Sequence, residues 1–373
     1  MIKVESLSAD WISERRKKFS KDPTIMEGMI YAFYLLERLK MTGLDFIFKG
    51  GTSLVLLMDQ PKRFSVDIDV IVSPSINKEK LGKYLSKIVG LSVFTRMELD
   101  EGRSYQQGIP KAHYRFFYNS NFPNKNREDK VILNPEREIL LDVVFPSNLY
   151  PILVDKPIQT EWLIQEGKPL VVRIPDVNSI TGDKLTAFAP NTTGVPYGLD
   201  KEKEIMKQLF DIGCLFDLLT DIEVVKRSFR ESVKSEIEYR PQRKIESVEQ
   251  VLWDIFNTAL LISRIILLSK GEKSLELREI YTGINQFRHY VFEGSFSLME
   301  AKVASSKAAC LAAIILSDYK GELEKFSPDI PISDYMINNP DYNFLNKRLK
   351  FVARGEALYY WHNTISLLFP ADK

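Results

Sequence analysis

The chain has 373 residues, with 51 Lys and Arg against 50 Asp and Glu, a formal charge of +1, and is long enough for two packed domains. Near-neutrality excludes a polyanion-binding surface spread over the whole chain, so any nucleic-acid contact has to come from local patches. The two cysteines, Cys214 and Cys310, make no metal-ligand spacing and are expected as buried, reduced thiols.

Residues 23–41 set Ile25, Met29, Ala32, Phe33 and Leu36 near 3.6-residue spacing and predict a helix. A short apolar strand over 44–48 delivers the chain to Gly50-Gly51-Thr52, which open an apolar helical run ending at Pro61. Residues 65–72 alternate as a strand and stop at the Ser73-Pro74 turn. This strand carries Asp67 and Asp69 at i and i+2, so both carboxylates point to one face and can hold one divalent cation. The glycines let the backbone approach a phosphate, and the helix start behind them offers N–H groups and a positive dipole end. A phosphate cradle beside paired metal ligands is the chemistry of metal-assisted phosphoryl or nucleotidyl transfer.

A helix over 77–89 and strands over 91–97 and 113–118 follow, and the polar stretch 119–134 reads as a loop. Residues 138–145 form an apolar strand with Asp142 in its middle. A carboxylate in that setting is costly without compensation, so Asp142 either faces water at a strand edge or meets a metal. The last strand spans 171–174 and ends at Pro175; helices over 178–188, 201–219, 249–270, 274–292, 298–319 and 353–368 complete the chain. The layout is an α/β domain with a mixed sheet over 1–175 and an all-helical domain over 176–373. The start of the chain has no apolar signal-type segment, and Asp254, Asn257 and Arg264 interrupt the most apolar run, so a cytoplasmic protein with no membrane contact is expected. Basic residues gather at 15–18 and, interleaved with acids, between Lys226 and Lys244; phosphate contacts to an RNA would come from such sets. His113, His289 and His362 are scattered and form neither a triad nor a zinc spacing.

Lys49-Gly50-Gly51-Thr52, followed by Arg63-Phe64-Ser65-Val66-Asp67-Ile68-Asp69, resembles the signature of the AbiEii/AbiGii-type nucleotidyltransferases. These are toxins of bacterial toxin–antitoxin and phage-abortive systems, built on the polymerase-β-type nucleotidyltransferase fold. The likeness is close over about residues 25–75 and looser to about residue 217. The spacer between glycines and acids is longer than the superfamily's usual one, and Thr52 stands where Ser is common. The Arg-x-Ser-x-Asp-x-Asp element is the more specific part, fixing four residue types in seven positions.

The resemblance implies two Mg²⁺ ions on Asp67, Asp69 and Asp142, an NTP substrate held at Gly50, Gly51, Thr52 and Ser53, and Arg63 and Ser65 bracing the acid strand against the phosphate loop. Ser179 to Ala187 resembles the family's lysine helix, which implies Lys184 over the triphosphate. Lys207 to Ile212 matches the family pattern at Asp211 but has Lys207-Gln208 where an Arg-Asp pair is common. Asp211 is then expected to orient Lys184, to activate the attacking hydroxyl, or to be a surface acid. The implied activity is transfer of NMP from an NTP to an acceptor, with RNA, in particular tRNA, as the acceptor and a cognate antitoxin as partner. A nucleotide-binding interaction protein with little turnover and a transferase acting on a small molecule are the alternatives.

Overall fold

The computed structural model describes residues 1–19, 21–58, 62–105, 110–125, 130–146, 150–265, 274–292 and 294–370. The chain divides into two units, Met1–Asp176 and Val177–Lys373.

In the first unit the elements run α1 (Ala9–Phe19), α2 (Pro23–Met41), β1 (Phe46–Lys49), α3 (Gly50–Leu57), β2 (Ile68–Val72), α4 (Lys78–Gly90), β3 (Arg96–Leu99), β4 (Lys111–Asn119), β5 (Asn124–Lys125), β6 (Val131–Ile132), β7 (Glu136–Val144), β8 (Leu153–Pro157) and β9 (Val171–Pro175). Seven of these strands form a mixed sheet of order β3-β4-β7-β2-β1-β9-β8. Strand β2 pairs antiparallel with β1 and parallel with β7, so the chain enters the sheet at its centre and returns beside it.

One face of this sheet is closed and the other is not. On β7, Ile139, Leu141 and Val143 are buried, while Leu140, Asp142 and Val144 between them are half-buried, the alternation of a strand with a single covered face. Helix α2 covers the closed face. Asp22 caps its start through Thr24 and Ile25, with Pro23 at the first helical position. Tyr31 of α2 stacks on Tyr118 of β4 with ring centroids 3.7 Å apart, and Phe94 packs edge-on against both.

The second unit shows helices and no strand among the described residues: α5 (Val177–Ala187), α6 (Glu202–Phe216), α7 (Ile222–Tyr239), α8 (Val248–Arg264), α9 (Leu275–Phe287), α10 (Leu298–Leu316), α11 (Phe344–Leu349) and α12 (Glu356–Leu368). Helix α10 opens with a Ser297/Glu300 capping box and is its axis, packing against α6, α8 and α12. It is buried on nearly all sides, and its many alanines and serines allow that. Helices α5 and α7 approach closely at Gly182, where a side chain would fall 2.6 Å from the Phe229 backbone nitrogen.

Most predicted elements lie within a few residues of the observed ones, with instructive exceptions. The stretch read as a loop over 119–134 contains the ribbon β5–β6, two residues on each strand with β6 exposed, too short to carry a hydrophobic period. Strand β8 and helices α1, α7 and α11 have no counterpart among the predicted elements; β8 is a half-exposed edge strand, and α1 buries only Ile12. Helix α3 closes at Leu57, while Pro61 and the end of the helix predicted to 270 lie outside the described residues. Neither cysteine forms a disulfide; Cys310 is buried, and burial pushes its thiol up to about 12, whereas Cys214 is half-buried rather than buried as expected.

Candidate active site

Strand pairing builds the centre of the site. Lys49 of β1 is opposite Asp69 of β2, Asp69 is opposite Asp142 of β7, and Asp142 is opposite His113 of β4. Residues directly opposite share a face, so a lysine, two carboxylates and an imidazole form one row across four strands on the open face of the sheet. Asp67 lies just ahead of β2, two residues before Asp69.

The glycine pair is explained by what lies against it. Gly50 has φ +77, a left-handed conformation that a side chain resists, and a Cβ there would sit 1.9 Å from Asp69 Oδ2. The Asp69 carboxylate therefore occupies the space that any other residue at 50 would fill. A Cβ on Gly51 would meet Arg63 Nη2 at 2.2 Å and Ser65 Oγ at 3.0 Å. Arg63 is buried and also donates to the Phe64 carbonyl at 3.0 Å.

The hydroxyls of the loop are used internally. Thr52 Oγ1 donates to the Asp67 carbonyl at 2.5 Å and lies 2.8 Å from Ser65 Oγ, tying the helix start to the acid strand. Ser53 Oγ donates to the Gly50 carbonyl at 2.8 Å. Both side chains are buried. What Gly50 to Ser53 offer a phosphate is thus their backbone N–H groups at the start of α3, which no side chain caps.

His113 Nδ1 stands 2.6 Å from Asp142 Oδ1. The carboxylate accepts, so the proton resides on Nδ1, and the second Asp142 oxygen is left for another role. Neither His113 nor Lys49 is singled out by residue type alone. The signal for both is positional, since each is the polar member of an alternating strand beside an acid.

The donor set fits a hard divalent cation: oxygen ligands from acids on adjacent strands, on one face, beside a cradle that only glycine permits. Among the described residues, no three His, Cys, Asp or Glu side chains form a ready-made cage. Strand register aligns Asp69 with Asp142, and Asp67 lies just ahead of β2.

In the second unit, Lys184 Nζ on α5 lies 2.9 Å from Asp211 Oδ2 on α6, and both are buried. Lys184 also donates to Gln208 Oε1 at 3.1 Å. Gln208, the departure from the family pattern, thus supplies a neutral acceptor to the same ammonium. A Ser228 Oγ to Ser179 carbonyl bond of 2.6 Å fixes α5 to α7 at the close approach by Gly182.

A helix start behind a glycine turn, uncapped by any side chain and set beside an acid row, suits transfer of a phosphorus-containing group. The chain matches the nucleotidyl transferase AbiEii toxin family of type IV toxin–antitoxin systems over residues 35–282, across the boundary between the two units. It belongs to that family and is a nucleotidyltransferase, as the Lys49–Asp69 signature implies. No curated protein matches it. Among the described residues no helix is long and apolar enough to cross a membrane.

Proposed function

We propose that the chain is a Mg²⁺-dependent toxin that moves NMP from an NTP to an RNA acceptor, tRNA in particular, and that a cognate antitoxin restrains it in the cytoplasm as part of a phage-defence system. The observation that carries the chemistry is the register row in which Asp69 and Asp142 face each other across β2 and β7, with Asp69 lying against Gly50.

Asp67, Asp69 and Asp142 would hold two Mg²⁺, which supply charge neutralisation on the phosphates and a lowered pKa at the acceptor hydroxyl. Backbone N–H groups at Gly50 to Ser53 receive the phosphates, and the α3 dipole favours their negative charge. Arg63 and Ser65 keep the helix start and the acid strand in register. His113 holds one oxygen of Asp142, fixing the direction of the other. Lys184 supplies a cation for the triphosphate, and Asp211 and Gln208 set its ammonium in place. The helical unit acts as a separate domain that carries this lysine.

The test is incubation of the purified chain with each labelled NTP, Mg²⁺ and total RNA. Label on RNA, lost on chelation, is the expected result. Label on a small molecule moves the acceptor elsewhere, and nucleotide binding without product makes the chain an interaction protein.

A further inference from the structure

The basic clusters at 15–18 and 226–244 are largely occupied. Arg15 pairs with Glu14 at 3.1 Å, Lys18 with Glu161 at 2.7 Å, Lys234 with Glu231 at 2.8 Å and Arg240 with Glu236 at 3.1 Å. Lys226 is buried against Glu223 at 2.7 Å. Another stretch of the helical unit is built differently. The twelve residues Phe344 to Gly355 hold four cations and no acid. Lys347, Arg348, Lys350 and Arg354 make no ion pair among the described residues.

Leu345, Leu349 and Val352 anchor this stretch in the helical core. Their burial turns Lys347, Lys350, Phe351 and Arg354 outward at spacings of three, one and three residues. Phe351 is 82 % exposed, the most exposed large apolar side chain among the described residues. Immediately after it the backbone is left-handed at Ala353, Arg354 and Gly355, with φ 47, 58 and 97. Two consecutive non-glycine residues in that region are strained, and such strain is kept where the surroundings or function over-determine it. Behind the stretch, Lys302 on α10 is only 5 % exposed and has no acid partner among the described residues. Burial, and then the charge of Arg348, hold its ammonium below the usual lysine range. A buried ammonium beside a guanidinium, with no anion of its own, is a place that favours an incoming one.

We propose that Lys347, Lys350, Phe351 and Arg354, backed by Lys302 and Arg348, form a binding surface for single-stranded RNA, with the cations on phosphates and Phe351 stacked on a base. Cations that track a backbone around one exposed ring suit any sequence, because every base has a face to stack. A membrane surface would call for a broader apolar area than one phenyl ring. The segment lies beyond residue 282, where the family match ends, so this surface is additional to the family's shared part. It deepens the RNA reading above and rests on it for its purpose, yet it is measured by binding alone.

The experiment is fluorescence anisotropy of a labelled single-stranded RNA of about 20 nucleotides, longer than one single-strand site, titrated with the full chain over a range of salt. Lys347→Gln/Lys350→Gln/Arg354→Gln should flatten the slope of log affinity against log salt by about 2, at about 0.7 per phosphate contact. Phe351→Ala should weaken binding about 5- to 150-fold with the slope unchanged, the value of one base stack. All four positions are exposed, so thermal unfolding should match the unmodified chain; if the triple variant unfolds, Phe351→Ala and Lys350→Gln alone carry the test. RNA affinity and salt slope unchanged in these variants overturn the surface, even if the enzyme labels RNA. Loss of RNA binding in variants of a chain that labels no RNA supports the surface and sinks the acceptor reading. Binding of anionic vesicles or an acidic protein through these residues, with none of RNA, overturns the proposal.

Discussion

The two units handle charge in opposite ways. In the first, Asp69 and Asp142 stand side by side on the open face of the sheet, two like charges with His113 and Lys49 at the ends of the row. In the second, Lys184 and Asp211 are buried and neutralise each other at 2.9 Å. An aligned pair of acids gains from a cation brought from outside, whereas a buried ion pair is complete and suffers when either member is removed. Under the function proposed above, the acid row serves a ligand, and the Lys184–Asp211 pair serves the fold as well as the chemistry. Substitutions in the two places should separate along that line.

The largest effect is expected at the acid row. Asp69→Asn keeps the shape that Gly50 accommodates but removes the anionic donor. Transfer should fall by about 1000-fold or more, the equivalent of several kcal/mol of charge stabilisation, with the unfolding temperature nearly unchanged. Pyrophosphate release and a thermal melt check both halves. Retained turnover would make the row a structural feature.

At the buried pair the order reverses, with stability affected first. Lys184→Met leaves the Asp211 carboxylate buried beside Gln208 without its cation, a loss of about 3–5 kcal/mol in urea unfolding. Lys184→Met/Asp211→Leu should recover most of that loss while remaining inactive. If the double variant were active, the lysine would have no part in the chemistry.

His113 gives a smaller, more selective effect. Losing the group that orients a metal-binding carboxylate typically costs about 10- to 100-fold in metal affinity. His113→Ala should show that loss for Mn²⁺, read by electron paramagnetic resonance without any turnover. His113→Asn, whose amide can still donate to Asp142, should recover part of it. Equal Mn²⁺ affinity in all three chains would remove His113 from the site.

These residues differ in how visible they are in the sequence. Glycine pair, helix start and Asp-x-Asp strand are local features, each readable from a few neighbouring residues, and the signature of residues 49–69 identifies the family. The placement of β7 beside β2 is not local. An apolar strand with an acid at its centre leaves a water-facing edge and a metal both open, and pairing with β2 is what brings Asp142 opposite Asp69. His113 is invisible in that way, because its meaning is created by β4 pairing with β7 twenty-nine residues further along the chain. The same holds for Gln208, a mismatch in the motif that becomes intelligible only when its oxygen is found on Lys184. Edge strand β8 and the β5–β6 ribbon bury too little to leave a periodic trace.

The smallest effect concerns Thr52, where motif and geometry assign different work to one hydroxyl. The motif position suggests a hand on the phosphates, but the side chain is buried and its oxygen donates to the Asp67 carbonyl and contacts Ser65. Thr52→Val keeps the volume and removes only that oxygen. Asp67 and Ser65 each lose a partner inside the protein, which costs about 1–3 kcal/mol. The helix N–H groups that face a phosphate belong to the backbone and survive the change. The KM for NTP should therefore move little, while the urea midpoint drops and Thr52→Ser restores it. A large rise in KM with an unchanged midpoint would return the hydroxyl to the nucleotide and leave Ser65 and Arg63 to hold the acid strand alone.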